Sequence, residues 1–232
     1  MPEEFDFEKY WLNKFSKCLG EIAGENIQKE ILAGIEKFSD ETSANDKFNW
    51  SQKAMEKLNS FVDGEKRIEI MTGCACQYPK EELQEVKKKY EETKSIDLVL
   101  QMLQDKFENF LKNTLKLNKE YFIFIVERGW GLAGIKKENK IIATKIPKSG
   151  FLAEYMKETD PEKKKAHYCH CPRIRDALKT PGARISRNYC YCGAGFYKGI
   201  WEDILQKPVK VEVLETVLNG GDVCKVAIHL PS

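Results

Sequence analysis

What constrains the fold of this chain most is a change of hydrophobic period near Asn118. Before it, apolar residues recur at helical spacing. Phe7, Tyr10, Trp11, Phe15, Leu19 and Ile22 line one face of residues 5–22, and Ile27, Ile31, Ile35 and Phe38 repeat the pattern. After a polar loop at 39–46, a third helix is expected to carry Met55, Leu58 and Val62, with Ser51 as its candidate cap and Gly64 as its stop. Residues 67–71 lean towards β-structure. Pro79 opens a helix, and Ser95 caps a long one striped by Ile96, Val99, Leu103, Phe107 and Leu111. Beyond Asn118 the runs shorten. Residues 121–126 are apolar, β-branched and aromatic, which reads as a buried strand, and 130–135 and 141–146 read as further strands turning at Glu138-Asn139. Residues 151–157 read as a short helix, 160–165 as a charged loop and 193–206 as a helix.

The chain closes on alternation. Val209, Val211 and Val213 precede Asn219-Gly220, a strong type I′ turn signal, and Cys224, Val226, Ile228 and Leu230 follow it. That turn would set Glu215 opposite Cys224; a turn at Gly220-Gly221 would shift the register. In either case Glu215 is the odd residue on an apolar face, where a carboxylate needs a partner. The expected fold is therefore α+β, a helical region 1–117 packed on an antiparallel sheet drawn from 119–147 and 208–230. Regions 1–117 and 118–232 are expected to form one compact unit.

The chemistry of the chain is concentrated in its cysteines. Six of the eight stand in three Cys-x-Cys pairs, Cys74/Cys76, Cys169/Cys171 and Cys190/Cys192; His167 precedes the second pair and His170 lies between its two cysteines. Crowded thiolates and imidazoles suit zinc or thiol redox work. The ring closed by a Cys-x-Cys disulfide is strained, and the acidic N-terminus M-P-E-E-F-D-F has no apolar signal core, so a cytoplasmic protein with reduced thiols is expected. The Cys-x-x-Cys spacing of many iron–sulfur and thioredoxin-like sites is absent. The expected ligands are Cys190 and Cys192 first, then Cys169 and Cys171, then Cys74 and Cys76, with His170 beside them. A Pro181-Gly182 turn would let the second and third pairs converge. Two glycines four apart, Gly195 and Gly199, mark either close helix packing or a ligand's approach.

A formal net charge of +2 gives no basic field for nucleic acid, and the lysine runs 87–89 and 163–165 read as solvated surface. No apolar run approaches the roughly 20 residues that span a bilayer. The partners expected are a small-molecule ligand and, as an option, a second copy of the chain as a homodimer, with neither nucleic acid nor membrane. A ligand pocket would be lined by Tyr197, Trp201 and the 121–126 run, with Glu215 at its edge. Two function classes follow: a zinc-binding, small-molecule-binding protein, or a small-molecule hydrolase using a metal-bound water or a cysteine nucleophile such as Cys190 or Cys192, with His170 as base.

Three stretches carry a family resemblance: C-Y-C-G-A-G-F-Y-K-G-I-W-E-D-I-L from Cys190, P-V-K-V-E-V-L-E from Pro208, and G-G-D-V-C-K-V-A-I from Gly220. Over roughly its last 115 residues the chain resembles the 4-vinyl reductase domain family and the related L-2-amino-thiazoline-4-carboxylic acid hydrolase family. The resemblance implies a small-molecule-binding α+β fold. It also implies a zinc site, held in regulator members by cysteines and a glutamate that correspond by position to Cys192, Glu215 and Cys224. This chain has Leu218 where those regulators have a further cysteine, so that site would be absent or rebuilt with Cys190, Cys169 or Cys171. The T-G-C-A-C and H-Y-C-H-C-P motifs resemble those of a bacterial subgroup of the superfamily.

Overall fold

The computed structural model describes residues 6–38, 41–179 and 185–231. The expected Pro181-Gly182 turn lies outside the described residues, as do Ser39 and Asp40 of the expected loop.

The helical half starts where side chains satisfy free amides. Asp6 accepts from the Lys9 amide at 2.9 Å to begin α1 (Phe7–Ala23), which ends at Gly24 with φ 89° and passes into α2 (Glu25–Leu32). Helix α3 (Ala44–Phe61) is capped by Ser43, not by Ser51; Ser51 sits inside the helix with its hydroxyl on the Lys47 carbonyl at 2.8 Å. Gly64 does not stop α3 but begins α4 (Gly64–Gly73), capped by Asp63, so the β-leaning reading of 67–71 is corrected to helix. The cap outweighs the β-branched content of so short a stretch. A 3-10 turn after Pro79 leads into α5 (Gln84–Thr93). Helix α6 (Ile96–Asn109) begins on the Ser95 hydroxyl, as the sequence indicates, and runs on through a π-helical turn, Phe110–Thr114.

The run at 121–126 is also a helix, α7 (Lys119–Val126), not a strand. Asn118 accepts from the Tyr121 amide at 2.9 Å, and in a run apolar at every position the period cannot tell helix from strand. The strand expected at 130–135 shrinks to β1 (Ile135–Lys137), because Gly131 and Gly134 take φ of 133° and 78° and turn the chain first. The turn at Glu138-Asn139 leads into β2 (Lys140–Thr144) as expected. After α8 (Leu152–Lys157), the expected charged loop is instead α9 (Pro161–Tyr168), with Asp160 as cap and Pro161 in its first turn. Next come α10 (Pro172–Arg175), α11 (Tyr191–Leu205), β3 (Lys210–Glu215) and β4 (Lys225–His229).

The fold is α+β, with a four-stranded antiparallel sheet in the order β1-β2-β4-β3. Ile141 faces Ile228 and Val213 faces Val226. The closing hairpin is not a tight one. The register shifts between Val213 and Glu215, Glu215 pairs with Lys225 rather than Cys224, and Gly220 (φ 87°) follows a 3-10 turn at Val217–Asn219. Helix α11 packs on β3 and β4 and also against α4, so it is the layer between the sheet and the N-terminal helices. One hydrophobic core runs from Trp11 and Phe15 through Leu103 to Trp201 and Ile228. The two glycines of α11 serve that packing. A Cβ on Gly195 would collide with the Thr72 carbonyl of α4, while Gly199 faces only the tip of Gln77 at 3.6 Å.

Candidate functional site: a cysteine-lined cavity

Because α11 lies against both α4 and the sheet, its first turn meets the ends of several other elements. A cavity of about 760 Å³ lies there, and six of the eight cysteines line it: Cys76, Cys169, Cys171, Cys190, Cys192 and Cys224. They arrive from four places: the segment after α4, the α9–α10 junction, the start of α11, and the residue before β4. Trp11, Phe107, Tyr189, Phe196 and Tyr197 supply aromatic wall. Cys74 lies behind that wall, fully buried, with its thiol on the Met71 carbonyl at 3.2 Å, and Cys18 lies outside the cavity. All eight cysteines are free thiols.

The other expected site residues divide. Tyr197 lines the cavity, held by its hydroxyl donating to the Gly131 carbonyl at 3.0 Å. Trp201 is fully buried in the core and does not line the cavity; the 121–126 run is absent from its wall as well. His170 does line it, but its Nε2 donates to the Ile146 carbonyl at 2.8 Å. Burial, reinforced by nearby Lys145, pushes the His170 pKa down to about 3. Glu215 stands at the rim with both carboxylate oxygens engaged. One accepts from the amides of Asp222 and Val223 at 3.0 and 3.3 Å, the other from Lys225 at 3.0 Å. Burial opposes its charge, yet these bonds together hold its pKa below the usual value.

The thiols are unequal. Burial raises Cys74, Cys76, Cys169, Cys171, Cys190 and Cys224, Cys169 to about 12. Cys192 goes the other way, to about 7. The adjacent Cys74 side chain lowers it most, and that outweighs burial; Trp11, Lys145 and Lys14 add to the lowering. The cavity therefore holds one thiol disposed to ionise among neutral ones, a nucleophile or a soft donor at neutral pH.

Among the described residues, no three His, Cys, Asp or Glu side chains stand together closely enough to hold a metal ion. The set that the family resemblance implies, Cys192, Glu215 and Cys224, does not form a ready site, since the oxygens of Glu215 already hold the β3–β4 connection.

Several residues on and behind the wall gave no signal in the sequence. Tyr168 is fully buried; its hydroxyl donates to the Lys145 carbonyl and accepts from the Cys224 amide at 3.1 Å, tying α9 to the ends of β2 and β4. Lys145 and Lys148 also line the cavity. The chain matches no family model, no curated protein and no solved structure. None of its helices is long and apolar enough to cross a membrane, among the described residues.

Proposed function

We propose that this protein binds a small molecule in the cysteine-lined cavity. One observation carries the reading: residues distant in sequence, including six cysteines, surround a single aromatic-walled space of about 760 Å³. That size falls within the range of small-ligand sites. The resemblance of the last 115 residues to small-molecule-binding domains agrees with it. We place the protein in the cytoplasm, where a reducing medium keeps eight thiols free. The test is fluorescence titration with the neutral aromatic probe N-phenyl-1-naphthylamine. Saturable binding at one probe per chain, abolished by Gly193→Phe, is expected. Gly193 lines the cavity and a Cβ there meets only Lys145 Nζ, at 3.4 Å, so the phenyl ring has room to fill the space. Binding unaffected by that filling would refute the reading.

The second reading is zinc binding by the same thiols, favoured by the Cys169/Cys171 and Cys190/Cys192 pairs both lining the cavity. It requires the thiols to draw together on the ion. Elemental analysis of protein purified without chelator tests it: about one zinc per chain, lost in a Cys190→Ser/Cys192→Ser variant, is the expected result. Less than about 0.2 per chain in the wild type ends it.

A further inference from the structure

The segment Lys145-Ile146-Pro147-Lys148 leaves the end of β2 and runs along the cavity, setting two ammonium groups on its wall. Neither has a carboxylate within 4.0 Å among the described residues. The carboxylates on the wall are engaged elsewhere. Glu8 binds Lys47 at 2.8 Å and Arg173 at 3.1 Å, Glu215 binds Lys225 at 3.0 Å, and Glu82 accepts from the Tyr78 hydroxyl at 3.2 Å. Lys106 faces Glu85 at 3.5 Å. Arg173 meets Glu8 through Nε and lies against the Trp11 and Trp50 rings at 5.1 and 5.4 Å, but its two buried terminal nitrogens have no hydrogen-bond partner among the described residues, so it is a further donor for an anion beside the lysines.

Lys145 is also held in place. Its amide donates to the Cys224 carbonyl at 2.9 Å, and its own carbonyl accepts the Tyr168 hydroxyl. Its ammonium stands over the first turn of α11 at Gly193, where the missing side chain leaves space beside it. Around it are the thiols of Cys76, Cys169, Cys192 and Cys224 and the His170 ring. Even with one of those thiols ionised, the two lysines leave a positive charge unanswered in a largely apolar space. A half-buried charge without a partner is costly, and a ligand that brings the opposite charge recovers that cost.

We propose that the cavity's ligand is an aromatic or apolar molecule bearing an acidic group, a carboxylate, sulfonate or phosphate, and that Lys145 pairs with that group. This rests on the reading of the cavity as a ligand site. Lys148, on the same segment, adds long-range attraction.

Two dyes of like ring system separate the claims: 8-anilinonaphthalene-1-sulfonate, which is anionic, and neutral N-phenyl-1-naphthylamine. Lys145→Met is expected to weaken the sulfonate by at least about tenfold and to leave the neutral dye within about twofold. Lys145→Arg should keep most of the sulfonate affinity. Raising ionic strength in the wild type should weaken the sulfonate and not the neutral dye, and this arm needs no variant to fold. Equal losses of both dyes in Lys145→Met, no loss of either, or a salt-independent sulfonate affinity would overturn the inference while leaving the ligand site intact. Failure of both dyes to bind the wild type would remove the ligand site and the inference with it.

Discussion

Gly195 lies against the backbone of Thr72: a Cβ there would run into the Thr72 carbonyl oxygen and stand 2.7 Å from the Ala75 methyl. This contact sets how closely α11 approaches α4, and so brings Cys192 beside Cys74, with its sulfur 4.0 Å from the Cys74 carbonyl. Gly195→Ala should therefore destabilise the protein by about 3 kcal/mol, because the atoms in the way are backbone and the packed neighbours cannot yield. Gly199→Ala is the control. Its nearest neighbour is the flexible tip of Gln77 at 3.6 Å, and it should gain up to about 1 kcal/mol of helix propensity. Urea denaturation of the two variants checks both signs.

Tyr168→Phe keeps the ring and removes the hydroxyl that bridges Lys145 and Cys224. A carbonyl and an amide lose their partner, at about 1–3 kcal/mol for each that stays away from water. We expect a loss of about 2 kcal/mol by urea denaturation. A loss below about 0.5 kcal/mol would mean that water replaces the hydroxyl.

Cys192 should be the first cavity cysteine to be alkylated by iodoacetamide near neutral pH. Its rate should reach half its plateau near pH 7, while Cys169 and Cys190 require much more alkaline solution. Cys74→Ala should shift the Cys192 profile towards higher pH, since the Cys74 thiol is the largest cause of the lowering. Peptide mass spectrometry reads each site separately. An unshifted profile in Cys74→Ala contradicts the pairing.

His170 gives a pH dependence of definite sign. Its folded pKa of about 3 lies below the ordinary 6.5, so between these values the unfolded chain holds the extra proton. Stability is thus fully present above about pH 6.5 and falls as pH falls towards 3, by at most about 1.4 kcal/mol per unit for this half-buried ring. His170→Gln should flatten the stability curve between pH 6 and 4, as read by urea midpoints. An unchanged slope would show that His170 is not the group responsible.

The sequence made the helical half, the α11 helix and the β2 strand legible because their periods and caps are local: Ser95 caps where its type suggests, and Asn139 turns where expected. The run at 121–126 was not legible, since every position is apolar and only the Asn118 cap tells helix from strand. The Asp160-Pro161 start of α9 was present in the sequence but masked by the charges that follow it. In the closing hairpin, Asn219-Gly220 misled because Glu215 binds the amides of Asp222 and Val223 and so holds open a wider connection. At the site, cysteine spacing marked the residues that line the cavity. It could not show that Cys74 lies behind the wall, that Trp201 belongs to the core, or that Lys145 stands among the thiols. Those are consequences of long-range packing of α11 on α4 and on the sheet.

The most direct test of a ligand site among the thiols is a protection measurement. Alkylation rates of each cysteine are followed by mass spectrometry with and without saturating N-phenyl-1-naphthylamine. Cys18, partly exposed but outside the cavity, serves as internal reference. The account predicts that the probe slows labelling of Cys76, Cys171 and Cys192 by about fivefold or more and leaves Cys18 unchanged. Equal rates at the cavity cysteines with and without bound probe would contradict it.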